Sequence, residues 1–149
     1  MFYEYIRNIT NNPNHSNVVV RFNNASITDE SFILFLEEWN QCDEENKLYS
    51  FFFDTERFPS NPSFKYVLRI SSFIKEKKKA NVKYLKYSII YVNSTFVRTL
   101  LRIVFTLSPP IAPVYLVNRK DDDFLFNLNQ RINRQETILK TEGIVCFTP

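Results

Sequence analysis

The chain has 149 residues, 44% hydrophobic, 16% aromatic and 23% charged, a size and composition that suit one globular domain and exclude disorder as its main state. Its single glycine, Gly143, excludes the G-x-G-x-x-G turn, the phosphate-cradling P-loop and the G-x-S-x-G nucleophile elbow, each of which needs backbone that only glycine provides. A net charge of +3, from 19 basic and 16 acidic residues, is too small to steer the whole molecule to nucleic acid or to an anionic membrane, so no nucleic-acid partner is expected and any anion binding requires a local patch.

Residues 2–9 and 18–22 are short runs rich in Val, Ile, Tyr and Phe, separated by Thr10, Asn11, Asn12, Pro13 and Asn14, which reads as an opening hairpin. Thr28 or Asp29 then caps a helix whose apolar face is Phe32, Ile33, Phe35, Leu36 and Trp39, and which fades at the acidic residues 43–45. Residues 48–53 are a continuous aromatic and apolar run ending at Asp54, the pattern of a central strand buried on both faces. Asn61 and Pro62 make a helix start, with Phe64, Val67, Leu68, Ser71 and Ile74 as the buried stripe. Lys75, Lys77, Lys78 and Lys79 fall in its last turns, where cations suit the negative end of the dipole.

Residues 82–92 read as a further strand. The next helix begins near Ser94 and is apolar almost all round, so it must be widely covered; Arg98 and Arg102 are its solvent stripe. Ser108, Pro109 and Pro110 stop it, and residues 111–117 form a strand entered through Pro113. Asp121, Asp122 and Asp123 cap a final helix that uses Phe124, Leu125, Leu128 and Ile132, while the pattern assigns no element to residues 135–149. The expected fold is a single α/β domain over residues 1–134, with about four helices and a mixed sheet of about five strands, largely parallel after the hairpin.

Cys42 and Cys146 are far apart and His15 is the one histidine, so these ligands assemble no structural zinc site, and no cofactor is expected. His15 has no carboxylate or nucleophile at a recognisable spacing, which argues against a catalytic triad. The first ten residues lack the apolar core of a signal peptide, and no run of about 18 apolar residues exists to span a bilayer. The expectation is a cytoplasmic protein without a transmembrane segment.

The V-V-V-R-F run from Val18, the T-D-E helix start at Thr28, the F-F-F-D-T run through Asp54 and the D-D-D-F-L run from Asp121 together resemble the STAS domain family, over residues 2–134. That family includes bacterial anti-sigma-factor antagonists and the cytoplasmic domains of sulfate transporters. The resemblance implies a non-enzymatic protein-interaction or regulatory module with a phosphorylatable serine where the helix after the central strand begins. Counting from Asp54, Ser63 falls nearest that serine and Ser60 is its neighbour; the family's D-S-S-G is absent, with Pro62 in the acid's place. A phosphate there would meet a helix N-terminus, with Arg57 as counter-charge, although Ser60 and Asn61 serve equally well as caps.

The Y-L-K-Y-S-I-I-Y-V-N run from Tyr84, followed by the apolar helix, also resembles the CRAL-TRIO lipid-binding fold. Two readings follow, an interaction module with a protein partner and a small carrier of a lipid or other apolar ligand. The carrier predicts a cavity beneath the helix formed by residues 96–105. Arg98, Arg102, Lys77 and Lys78 are the candidate anion contacts, and the first strand, if it lies at the sheet edge, offers unpaired backbone for a homodimer.

Overall fold

The computed structural model describes residues 1–8, 14–136, 138 and 143–149. Ile9 and the predicted turn residues Thr10, Asn11, Asn12 and Pro13 lie outside them. The elements run β1 (Tyr3–Asn8), β2 (His15–Phe22), α1 (Asp29–Glu44), β3 (Leu48–Asp54), α2 (Phe64–Lys78), β4 (Leu85–Tyr91), α3 (Thr95–Leu107), β5 (Val114–Val117), α4 (Asp122–Asn133) and β6 (Val145–Phe147). They form an α/β domain with four helices and one mixed sheet, as the pattern implies, but the sheet has six strands where about five are expected. The additional strand, β6, falls in the segment to which the sequence pattern assigns no element. Gly143, at φ 76°, turns the chain toward it.

Strand order equals sequence order, β1-β2-β3-β4-β5-β6. β1 pairs antiparallel with β2, the pairs β2/β3, β3/β4 and β4/β5 are parallel, and β6 returns antiparallel to β5. Crossovers of one hand that step the same way across a sheet deliver their helices to one face. Accordingly α1, α2 and α3 share a single core with that face: Phe32, Phe35 and Trp39 from α1, Val67 and Ile74 from α2, Val97 and Val104 from α3. α4 covers the opposite face, where Leu128 meets Tyr87, Ile89, Val117 and Ile144. Beyond α4, on the same face, Glu4 and Arg21 are exposed and Ile6, Val19 and Phe52 half-buried.

Three of the helix starts carry the side-chain caps their residues suit. Thr28 and Ser31 form a reciprocal capping box on α1, Ser94 accepts from Val97 N at 3.1 Å on α3, and Asp121 accepts from Phe124 N at 3.2 Å on α4. α2 begins two residues later than Pro62 implies: Ser63 is its N-cap and makes no side-chain cap bond. In a chain so poor in glycine, the left-handed residue between α1 and β3 is Asn46, at φ 57°.

The central strand is the densest part of the core. Phe51 is 2% exposed and its ring packs on Trp39 at 5.1 Å, Tyr49 at 5.3 Å, Phe53 at 4.8 Å and Tyr5 at 6.3 Å. β1 is an edge strand, and its aromatics turn inward: Phe2 and Tyr3 are buried, and the Tyr5 hydroxyl donates to Phe35 O at 3.2 Å. Arg7 on the same strand is ion-paired with Glu45, so the edge carries charge, as exposed edges commonly do. Because Phe51 touches four rings, Phe51→Ala should lower unfolding free energy by about 3 to 5 kcal/mol in chemical denaturation, whereas Phe126→Ala, on the exposed side of α4, should change it by about 0.5 kcal/mol or less.

Candidate functional site

Between the sheet and its three-helix layer lies an apolar cavity of about 180 Å³. Its floor is Phe53, Ile90 and Val114, and its roof is Val67, Ile70 and Ile74 from α2 with Val97, Leu101 and Val104 from α3. Phe22 and Phe58, in ring contact at 5.1 Å, line it too, as do Pro110, Ile111 and Ala112 of the α3–β5 connection. On the α1 side the cavity wall is aromatic, with Phe32, Phe35 and Trp39, the last two in edge-to-face contact, whereas under α3 it is mostly aliphatic, with Phe105 its one ring.

The polar residues on this wall are few. Thr55 donates its hydroxyl to Tyr91 O at 2.6 Å, and Tyr66 gives its own to Asp29 Oδ1 at 2.9 Å. Ser88 is different. Strand alternation turns it, like Ile90, to the cavity side of β4, it is 4% exposed, and its side chain makes no hydrogen bond among the described residues. A buried hydroxyl beside an apolar cavity can bond a group brought in by a ligand.

The opposite face of the sheet holds a wider groove of about 540 Å³, and most of its polar groups are committed to neighbours, whereas Arg21 and Asp122 make no hydrogen bond or ion pair among the described residues. Ser50 donates to Asn17 Oδ1 at 3.1 Å, and Tyr87 donates to Asn129 Oδ1 at 2.6 Å. Lys120 donates to Asp54 at 3.0 Å and to Glu56 at 2.7 Å, and these two carboxylates, Glu56 foremost, hold its ammonium above the usual lysine range. Beside this groove the β2/β3 pairing brings His15 Nε2 to 2.9 Å from Ser50 Oγ, a contact that the sequence spacing of 35 residues conceals. Which of His15 and Ser50 donates follows from the imidazole tautomer, Ser50 also contacts Asn17 Oδ1, and Ser50 is itself 3% exposed.

The residues singled out in the sequence are scattered. Asp54 ends β3, locked to Lys120 and accepting from Glu56 N at 3.1 Å. Arg57, Ser60 and Ser63 are exposed on the loop to α2, where Phe58 packs on Phe22, and Arg57 has no ion pair or hydrogen bond among the described residues. The four candidate anion contacts form no common site. Lys77 Nζ lies 2.5 Å from Asp43 on α1, which neutralises it, and Lys78 Nζ donates to Pro109 O at 3.3 Å, while Arg98 and Arg102 stand on the outer flank of α3. Nor is α3 widely covered: of its thirteen residues only Val97 and Val104 are buried, because it is the last helix of the layer and beyond it lies only the three-residue β6. Arg98 and Arg102 are therefore not its one solvent stripe, since Phe96 and Leu107 are exposed with Arg102 while Arg98 is half-buried.

Among the described residues no cluster of three or more His, Cys, Asp or Glu side chains is placed to hold a metal ion, and no helix is long and apolar enough to cross a membrane. No family model, curated protein or solved structure matches this chain.

Burial, and secondarily the charge of Lys86, holds the His15 imidazole below its ordinary pKa. Protonation is thus easier in the unfolded chain, so stability is full above the ordinary value of about 6.5 and falls as pH drops below it. The melting temperature should therefore decline as pH drops below about 6.5, and His15→Gln should flatten that decline. A wild-type decline that the substitution leaves unchanged would assign it to other groups.

Proposed function

We propose that the protein is a small carrier that binds an apolar ligand between its sheet and its α2–α3 layer, and that it binds without turnover. The observation that carries the reading is the cavity beneath α3, where the carrier reading expects it. An apolar cavity of roughly 150 Å³ suffices to bind benzene, so a volume of about 180 Å³ suits a hydrocarbon group of about six to eight carbons. Ser88 narrows the class. Its hydroxyl favours a ligand that is mostly hydrocarbon and carries one hydrogen-bonding group, such as an alcohol, an amide or an ester carbonyl.

An interaction module of STAS type is the second reading. It is supported by the exposure of Ser60 and Ser63 and by the unused Ser63 side chain at the start of α2. Phosphate there would add charge at a helix N-terminus. Under this reading Ser63→Asp alters binding to a protein partner by about fivefold or more, while equal binding of the two forms leaves the loop as structure alone.

For the carrier, 1-octanol should raise the melting temperature in a concentration-dependent way, since a ligand that binds only the folded state stabilises it by mass action. Ser88→Ala should weaken octanol about fivefold, the worth of one neutral hydrogen bond, and Val104→Phe should abolish the effect by filling the cavity. Native mass spectrometry of the purified chain provides the independent check. A bare mass together with no response to octanol defeats the carrier reading.

A further inference from the structure

The contacts of α2 and α3 show which flank of each helix faces the other. On α2, Phe73 packs on Trp39 at 5.2 Å and Lys77 pairs with Asp43, both from α1. Helical spacing therefore turns the opposite flank, with Phe64, Leu68 and Lys75, toward α3. On α3, Phe105 meets Phe147 of β6 at 5.0 Å, so the flank carrying Arg98, Arg102 and Phe105 faces β6, and Phe96, Ile103 and Leu107 face α2. Two apolar stripes thus line the slot-like seam where α2 and α3 meet, the two helices whose inner sides roof the cavity. They are not closed on one another: Phe64 is 56% exposed, Leu68 48%, Phe96 46% and Leu107 41%.

The charge on this face is one-sided. α2 and α3 together carry seven basic side chains and one carboxylate, Glu76. Asp29 and Asp43 of α1 engage Lys65, Arg69 and Lys77, which leaves Lys75, Arg98 and Arg102 with no hydrogen bond or ion pair among the described residues. A second copy docked symmetrically would set these cations opposite themselves. What the face fits is a partner that presents negative charge and hydrocarbon together.

We propose that the α2–α3 face docks on an anionic lipid surface, with Phe64, Leu68, Phe96 and Leu107 entering the hydrocarbon boundary and Arg98, Arg102 and Lys75 at the headgroups. Exposed apolar residues flanked by Lys and Arg are the pattern of interfacial helices. The slot is then the path between the bilayer and the cavity, a part of the proposal that rests on the carrier reading.

Flotation with phosphatidylcholine vesicles, with and without about one third phosphatidylglycerol, tests the docking. The wild-type chain should float with the anionic vesicles and not with phosphatidylcholine alone. Arg98→Glu with Arg102→Glu should cut the bound fraction about tenfold or more, each basic residue near such a surface contributing appreciably to binding. Phe64→Ser with Phe96→Ser should also cut it severalfold, and since none of the four positions is in the buried core, both pairs should retain the folded state by circular dichroism. Absence of flotation, equal flotation with both vesicle types, or undiminished binding of folded variants overturns the proposal. The octanol response without vesicles separates the two ideas: flotation without it removes the carrier and keeps the docking, and the response without flotation does the reverse.

Discussion

Three successive crossovers step in one direction along the sheet, and that constraint organises the rest of the molecule. Because a parallel connection has a preferred hand, stepping always to the next strand returns each helix to the same face. α1, α2 and α3 are therefore side by side in one layer, and β1 to β5 share with them a single large core. Among the described residues the other face has one helix, α4, which packs over β4 and β5 together with Ile138 and Ile144. A sheet wound from the middle outward would have shared its helices between the two faces; this one concentrates most of its apolar burial, and the cavity described above, on one side.

Packing within that layer is graded. Near α1 the rings of Phe35, Trp39, Phe51 and Phe53 interlock, and polar contacts tie α1 to β3 and α2: Asp43 accepts from Tyr49 of β3 and Lys77 of α2, and Asp29 from Tyr66 of α2. Toward α3 these ties are fewer and the side chains aliphatic. α3 has a neighbour on one side in α2 and only a three-residue strand on the other. Cavity, exposed apolar stripes and unpaired arginines thus share an origin in the position of α3 at the end of the layer.

Much of the fold was legible in local chemistry. Thr28, Ser94 and Asp121 are capping residues ahead of apolar periodicity and they do cap, and the run through Asp54 is the central strand it reads as. Elements defined by distant partners were harder to read. His15, Ser16 and Asn17 have little strand character, yet they extend β2 because β3 pairs with them residue for residue. β6 is three residues whose only signal is the partner strand β5. Pro62 suits a helix's first position and equally the extended residue before it, so the start of α2 was misplaced by two residues. As for the site, a cavity is an absence of atoms between elements, and no periodicity records it. Ser88 reads in sequence as one small residue within an apolar strand; its meaning depends on the volume opposite it.

Strand order that follows chain order also bears on how the polypeptide emerges from the ribosome. Each strand from β2 onward can join an edge that its predecessor has already formed, and none has to be inserted between two strands made earlier. Contacts between neighbouring strands span only one crossover, which keeps loop-closure entropy low. The sheet can grow vectorially during synthesis, from N-terminus to C-terminus. Until β6 arrives, β5 is the open edge of the nascent sheet, and β6 covers it by returning antiparallel.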